Sequence, residues 1–345
     1  VKKIYILLTV FLFGTGCVKS TPVATEPTTL TVYTYDSLSA DYGLLPAIKD
    51  QFEQDHQITL NIVSFTDTGA MLNQLIAEKN NPKADVVLGL DNINLPDLKT
   101  NNLLDPYKPT RASAIPKRLR FDNDFTMTPF DYGYVSFVYD SQALTFSEPI
   151  SLMELVNNSA YNKKIIIEQP GLSSPGTQLL FWAHQALGDD QAKEFFDKLS
   201  NQVLTVAPDW NTAYYSMFLN DQAPIVLSYV TSPAYHIDQE QTDRYKTIPI
   251  TDGYLPQVEG VGLVHGSAAT TLGQQFIDYM LSQPVQQAIP TTQWMFPVLK
   301  NEVTLPDAYS QIITPNLKTS LPLDEITIQN NYTPYLEQWH TSFGL

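Results

Sequence analysis

Across 345 residues there is one cysteine, Cys17, and that scarcity removes several chemistries at once. A lone thiol beside a leader-like segment builds no disulfide framework and no cysteine zinc site. It also leaves the body of the chain without a thiolate nucleophile. Histidine is almost as sparse. His56, His184, His236, His265 and His340 lie far apart, and neither HExxH nor an EF-hand loop occurs, so no metal set is expected. Basic residues are short too: 20 Lys and Arg face 36 Asp and Glu, for a formal charge of −16 and a pI near 4.5. That balance is opposite to a polyanion binder's and sets nucleic acid aside as a partner. Phosphate loops of the GxGxxG or Walker type are missing, as is the GxSxG elbow; the nearest stretch, 171–176, has the wrong spacing. Charged residues make up only 16% against 43% hydrophobic, which excludes disorder and coiled coil. A chain of this length predicts two lobes, each with its own core.

The N-terminal stretch carries its own message. Lys2 and Lys3 precede apolar residues 4–13 and then Gly14, Thr15 and Gly16, the layout of an export signal over 1–16. Cys17 stands where bacterial lipoproteins carry their acylated cysteine, with Gly14 in place of the usual leucine, so lipidation at Cys17 is expected. Residues 17–29, rich in Thr and Pro, read as a tether to the membrane surface. The expected location is the periplasm or the outer face of the cytoplasmic membrane. No later hydrophobic run reaches the roughly 18 residues of a membrane span.

Beyond the tether, strands alternate with helices. Periodicity predicts strands over 30–35, 58–65, 84–90, 130–139, 164–167, 204–207 and 225–229, and helices over 47–54, 71–78, 176–187, 191–200 and 274–281. Residues 254–259 carry the chain back, and the C-terminal region reads as largely helical. The fold class is α/β, with lobe 1 formed by 30–130 plus 260–345, lobe 2 by 131–259, and a hinge of two crossing segments. Three turns, Asp67-Thr68-Gly69, Ser174-Pro175 and Ser232-Pro233, place a carboxylate or hydroxyls at helix starts after strands. In open α/β folds that edge is the usual ligand crevice.

Five segments carry a family resemblance: 31–37 (TVYTYDS), 83–92 (KADVVLGLDN), 129–134 (PFDYGY), 227–236 (LSYVTSPAYH) and 289–297 (IPTTQWMFP). In order and register they resemble the thiamine-binding proteins of bacterial ABC thiamine importers. The resemblance implies a two-lobe type II periplasmic binding fold that clamps thiamine, free or phosphorylated, and hands it to a membrane permease. It implies a monomer with no catalysis and no cofactor. It places ligand contacts at Asp67, Thr68, Ser173, Ser174, Trp210, Tyr229, Val230, Thr231 and Ser232, with Tyr35, Tyr235 and Trp294 as pocket walls. Three positions depart from the family pattern: Thr68 replaces a glycine, Tyr42 a tryptophan and Val230 a threonine.

The chemistry of thiamine suits these residue types. A fixed cationic thiazolium and a flat aminopyrimidine call for aromatic faces and a carboxylate, and the hydroxyethyl arm calls for small hydroxyls. Two alternatives share the fold. Tyr214-Tyr215 resembles the paired phenolate ligands of ferric-ion binding proteins, but the remaining blocks of that family are missing. A thiamine-degrading enzyme would need a cysteine nucleophile that the body of the chain does not contain.

Overall fold

The computed structural model describes residues 1–3 and 28–345. The expected export signal, Cys17 and nearly all of the expected tether lie outside the described residues.

In the first lobe, β1 (Thr29–Tyr35) leads through α1 (Asp36–Ser39) and α2 (Leu44–His56) to β2 (Thr59–Phe65). The helix α3 (Thr68–Glu78) then leads to β3 (Val86–Asp91), α4 (Leu95–Thr100) and the short β4 (Leu104–Asp105). Strands β1, β2 and β3 pair in parallel, and all six residues of β3 are buried, as a central strand covered on both faces requires. The long β5 (Thr128–Asp140) then leaves this lobe. The second lobe holds α5 (Leu152–Asn157), β6 (Ile165–Glu168), α6 (Ser174–Leu187), α7 (Asp189–Gln202), β7 (Val203–Ala207), β8 (Ile225–Tyr229), α8 (Ser232–Gln239) and β9 (Tyr245–Thr247). The return strand β10 (Pro256–Val264) is followed by α9 (Thr270–Met280), α10 (Gln283–Thr292), β11 (Phe296–Pro297) and α11 (Glu325–Phe343).

The strand order is β2-β1-β3-β10-β5-β8-β6-β7, and β5 belongs to both halves. Its first residues, Thr128 to Tyr134, pair with β10 and β11, and Val135 onward pair with β8 and β9. The crossing is therefore a continuous strand, a stiff hinge. Each lobe has apolar packing on both sheet faces: Leu30, Val32, Phe52 and Phe276 against Tyr33, Met71 and Leu75 in the first, and Phe137, Trp182 and Phe196 against Val138, Ile166 and Phe218 in the second. A separate cluster of Tyr132, Tyr134, Val230, Ala234 and Phe296 fills the hinge.

Two expectations need correction. The lobe 1 assignment of 260–345 fails at its end, because Ile328, Tyr335 and Trp339 of α11 sit in the core of the second lobe with Phe181, Phe195 and Trp182. The N-terminal end of α11 still touches the first lobe through the Lys99–Glu325 ion pair at 2.7 Å. The boundary at 259 also moves earlier, since the whole of β10 pairs within the first sheet. The C-terminal region carries the helices α9, α10 and α11, but between α10 and α11 residues 293–324 are mostly turns and short 3-10 segments. Pro297, Pro306, Pro315 and Pro322 punctuate them and lack the N–H that a helix interior uses. Among the described residues no helix is long and apolar enough to cross a membrane.

Candidate ligand-binding site

The carboxyl ends of β1, β2 and β3 face those of β6 and β8 across a cleft, the position where open α/β sheets hold ligands. The cleft encloses about 860 Å³ including its mouth. Tyr35 ends β1, Tyr229 ends β8, and Trp210, Tyr235 and Trp294 complete an aromatic wall. Tyr235 and Trp294 meet edge to face with ring centres 5.4 Å apart. Trp210 stacks one face on Tyr214, centres 5.0 Å apart and planes 14° from parallel, while its Nε1 donates to Ser228 Oγ at 2.8 Å.

Asp67, Thr68 and Ser174 sit at the meeting of the lobes. Asp67 caps α3: its Oδ1 accepts from the Thr68 amide at 2.7 Å and, across the cleft, from the Ser174 amide at 3.2 Å. Among the described residues nothing donates to Oδ2. Thr68 Oγ1 and Ser174 Oγ lie 2.8 Å apart, and the Gly69 amide donates to the Leu172 carbonyl at 3.2 Å. These cross-lobe bonds describe a closed clamp. Thr68 joins the latch through its hydroxyl, while its amide caps within its own lobe by donating to Asp67.

Of the expected positions, Ser173 and Val230 are not on the cavity wall. Val230 is the clearer correction. Its side chain is fully buried in the hinge cluster, its amide donates to the Tyr134 carbonyl at 3.0 Å, and its carbonyl accepts from Thr247 Oγ1 at 3.3 Å. Its side chain and amide are thus committed to the hinge and not to the cavity wall. Ser173 is buried, and its carbonyl accepts from Thr177 Oγ1 at 2.8 Å. Thr231 and Ser232 do line the cavity. Thr231 Oγ1 has no partner among the described residues, whereas Ser232 Oγ receives the Tyr229 amide at 3.2 Å.

The wall also holds residues the sequence reading did not assign to it: Tyr42, Asn211, Tyr215, Gln293 and Glu259. Glu259 had a legible signal, a lone acid in the otherwise apolar run Val258 to Val264. Tyr214 and Tyr215 are not arranged as paired phenolate ligands. The Tyr214 hydroxyl is bonded to His236 Nε2 at 2.9 Å, and the two rings meet nearly at right angles. Among the described residues no group of His, Cys, Asp and Glu is placed to hold a metal ion.

Charge in the cavity is of one sign. Among the described residues, Asp67 and Glu259 are its carboxylates and no Lys, Arg or His lines it. Burial pushes the Asp67 carboxyl up to about 6, against hydrogen bonds from Thr68 and Ser174 that favour its charged form. Desolvated anions walled by π faces attract a flat cation and repel an anion.

Comparison with known proteins agrees with this geometry. Residues 47–314 match the model of a family described as bacterial extracellular solute-binding protein. The thiamine-binding periplasmic protein of Escherichia coli (strain K12) is 40% identical over 318 residues, covering 92% of this chain and 94% of the relative. That of Brucella suis biovar 1 (strain 1330) is 35% identical over 334 residues, covering 96% and 97%. A solved periplasmic thiamin binding protein superposes with a TM-score of 0.85 at 38% identity, covering 93% of this chain and 97% of that one. A ferric binding protein from Campylobacter jejuni superposes with a TM-score of 0.76 at 18% identity and shares the fold alone. This chain belongs to the bacterial extracellular solute-binding proteins, in the family of the thiamine-binding periplasmic proteins.

Proposed function

We propose that this chain binds thiamine in the cleft between its lobes, outside the cytoplasmic membrane, and delivers it to an ABC importer by closing around it without catalysis. The observation that carries the reading is the cavity's composition, aromatic walls with carboxylates as the only charged groups among the described residues. A thiazolium is a permanent cation, so it needs no proton transfer to be recognised; a desolvated cation over a tryptophan face is worth about 2 kcal/mol or more. The ring hydroxyls and Thr231 suit the hydroxyethyl arm. Titration with thiamine and separately with Fe(III), followed by tryptophan fluorescence, tests this. Trp210 and Trp294 line the cavity whereas Trp182 and Trp339 lie in the core of the second lobe, so saturable quenching by thiamine supports the reading. A response to Fe(III) alone contradicts it.

Asp67 is one recognition carboxylate, placed at the latch. Asp67→Asn keeps an oxygen for the Thr68 and Ser174 amides but removes the negative charge from the cavity wall. The melting temperature is expected to stay near that of the parent, because Asn caps helices about as well as Asp. Thiamine affinity falls at least about tenfold, or about 1.4 kcal/mol. Retained affinity reduces Asp67 to a helix cap. The export and tether reading of residues 1–29 adds a lipid anchor at Cys17: Cys17→Ser is expected to move the protein from the membrane fraction to the soluble one. Membrane association equal to the parent's contradicts that anchor.

A further inference from the structure

Asp67 is not the cavity's only acid. Glu259 on β10 is 2% exposed and lines the same cleft at the hinge side. Its Oε1 accepts from the Tyr35 hydroxyl at 2.7 Å and its Oε2 from the Gln293 amide nitrogen at 3.3 Å, while that nitrogen also donates to Tyr35 Oη at 2.6 Å. Tyr35 and Gln293 thus hold the carboxylate in one orientation.

Its cross-strand partner is Asp131 on β5. Asp131 is fully buried, and neither of its carboxyl oxygens receives a hydrogen bond from an N–H or hydroxyl of the described residues. That cross-strand register, with both side chains buried, sets the two carboxyls side by side, and among the described residues no cation is paired with either. Two such neighbouring buried carboxylates cannot both be ionised; a single proton between them turns repulsion into a hydrogen bond. Asp131 is the member of the pair that is off the cavity wall, and burial first, then the neighbouring Glu259 charge, holds its carboxyl well above the usual carboxylate range. Glu259 is raised less. Burial lifts it and Asp91 at the end of β3 adds to the lift, while Tyr35, Asp131 and Gln293 oppose through hydrogen bonds. The other titratable groups facing the pair are the Tyr229 phenol from β8, the Tyr309 phenol from the C-terminal segment, and Asp67 across the cleft.

We propose that Glu259 is the carboxylate that meets the cationic ring of the ligand, and that Asp131 is a positioning residue that stays protonated and donates to Glu259. This rests on the thiamine reading above. It gives the cleft one negative charge beside the hinge and a second, Asp67, at the latch. A docked cation stabilises ionised Glu259, so binding expels to solvent whatever proton Glu259 carries. The sign follows: proton release is largest on the acid side of the Glu259 titration and vanishes on the alkaline side, and affinity falls as pH drops through it.

Calorimetry of the full chain with thiamine, at about pH 6 and about pH 8 in buffers of different ionisation heat, counts the protons. The parent is expected to release protons at the lower pH and none at the higher. Glu259→Gln is expected to lose at least about tenfold in affinity at the higher pH and to cut the release at the lower pH to the share contributed by the Asp67 carboxyl, which burial pushes up to about 6; Asp67→Asn loses that share and keeps the rest. Asp131→Ala, which cannot donate, moves the fall in affinity to higher pH. Asp131→Asn, which can, restores the parent's profile. A parent that binds thiamine with no proton release, a folded Glu259→Gln variant of parental affinity, or an Asp131→Asn profile matching Asp131→Ala overturns the inference alone. A parent that gives no thiamine signal at either pH overturns the thiamine reading and this inference with it.

Discussion

Gly69→Ala is expected to weaken thiamine binding on the order of a hundredfold while leaving the melting temperature unchanged or slightly raised. Gly69 lies in the first turn of α3, where the backbone is helical and an alanine is intrinsically favoured by up to about 1 kcal/mol. The three atoms nearest to the added methyl group all belong to the second lobe: a Cβ at Gly69 would stand 2.5 Å from the Gly171 carbonyl oxygen, 2.8 Å from that of Leu172 and 2.9 Å from the Leu172 Cα. These are backbone atoms that cannot swing aside, so the clash is relieved only by parting the lobes. Overpacking of this kind costs about 1–3 kcal/mol, and here the cost falls on the closed state alone. Small-angle scattering should show the parent contracting with thiamine and the variant failing to contract. Parental affinity and normal contraction would mean that ligand binding does not require this latch.

Trp210→Ala is expected to raise the dissociation constant for thiamine roughly thirtyfold, the equivalent of about 2 kcal/mol of lost cation–π contact. The indole is suited to that contact because its ring is held in place. Tyr214 stacks on one face and Ser228 takes its N–H, leaving little rotamer freedom to lose on binding. Tyr214 remains fixed by His236 in the variant, so the helical turn around it persists and the effect reads on the ligand. A folded variant with unchanged affinity would make Trp210 packing for Tyr214 and nothing more.

Much of the fold was legible before the structure, for a simple reason. Strands buried on both faces, such as β3 and β8, are short apolar runs bounded by polar turns, and their positions follow directly from the sequence. Helix starts were marked by Asp67 and by the Ser-Pro pairs. Between the helices α10 and α11, residues 293–324 leave the helical pattern because their apolar residues are interrupted by prolines that deny them a helical ladder. The docking of α11 was misassigned because Ile328, Tyr335 and Trp339 define an apolar face without saying which lobe receives it.

The candidate site was legible in its residues but not in their orientation. Family resemblance carries positions along a run such as Tyr229 to Ser232. The chain's turn at the end of β8 then decides which side chains face the cleft, and it sends Val230 into the hinge cluster. Glu259 was passed over because the return strand was read as a connection, and its partner Asp131 lies 128 residues earlier in the sequence. Their contact exists only once β5 and β10 pair.

The most direct test of the account is isothermal titration of the purified chain with thiamine, thiamine monophosphate and thiamine diphosphate at neutral pH. The account predicts saturable binding of one thiamine per chain, by a protein that leaves the vitamin chemically unchanged. No binding of any of the three, or recovery of cleaved thiamine after incubation, would contradict it.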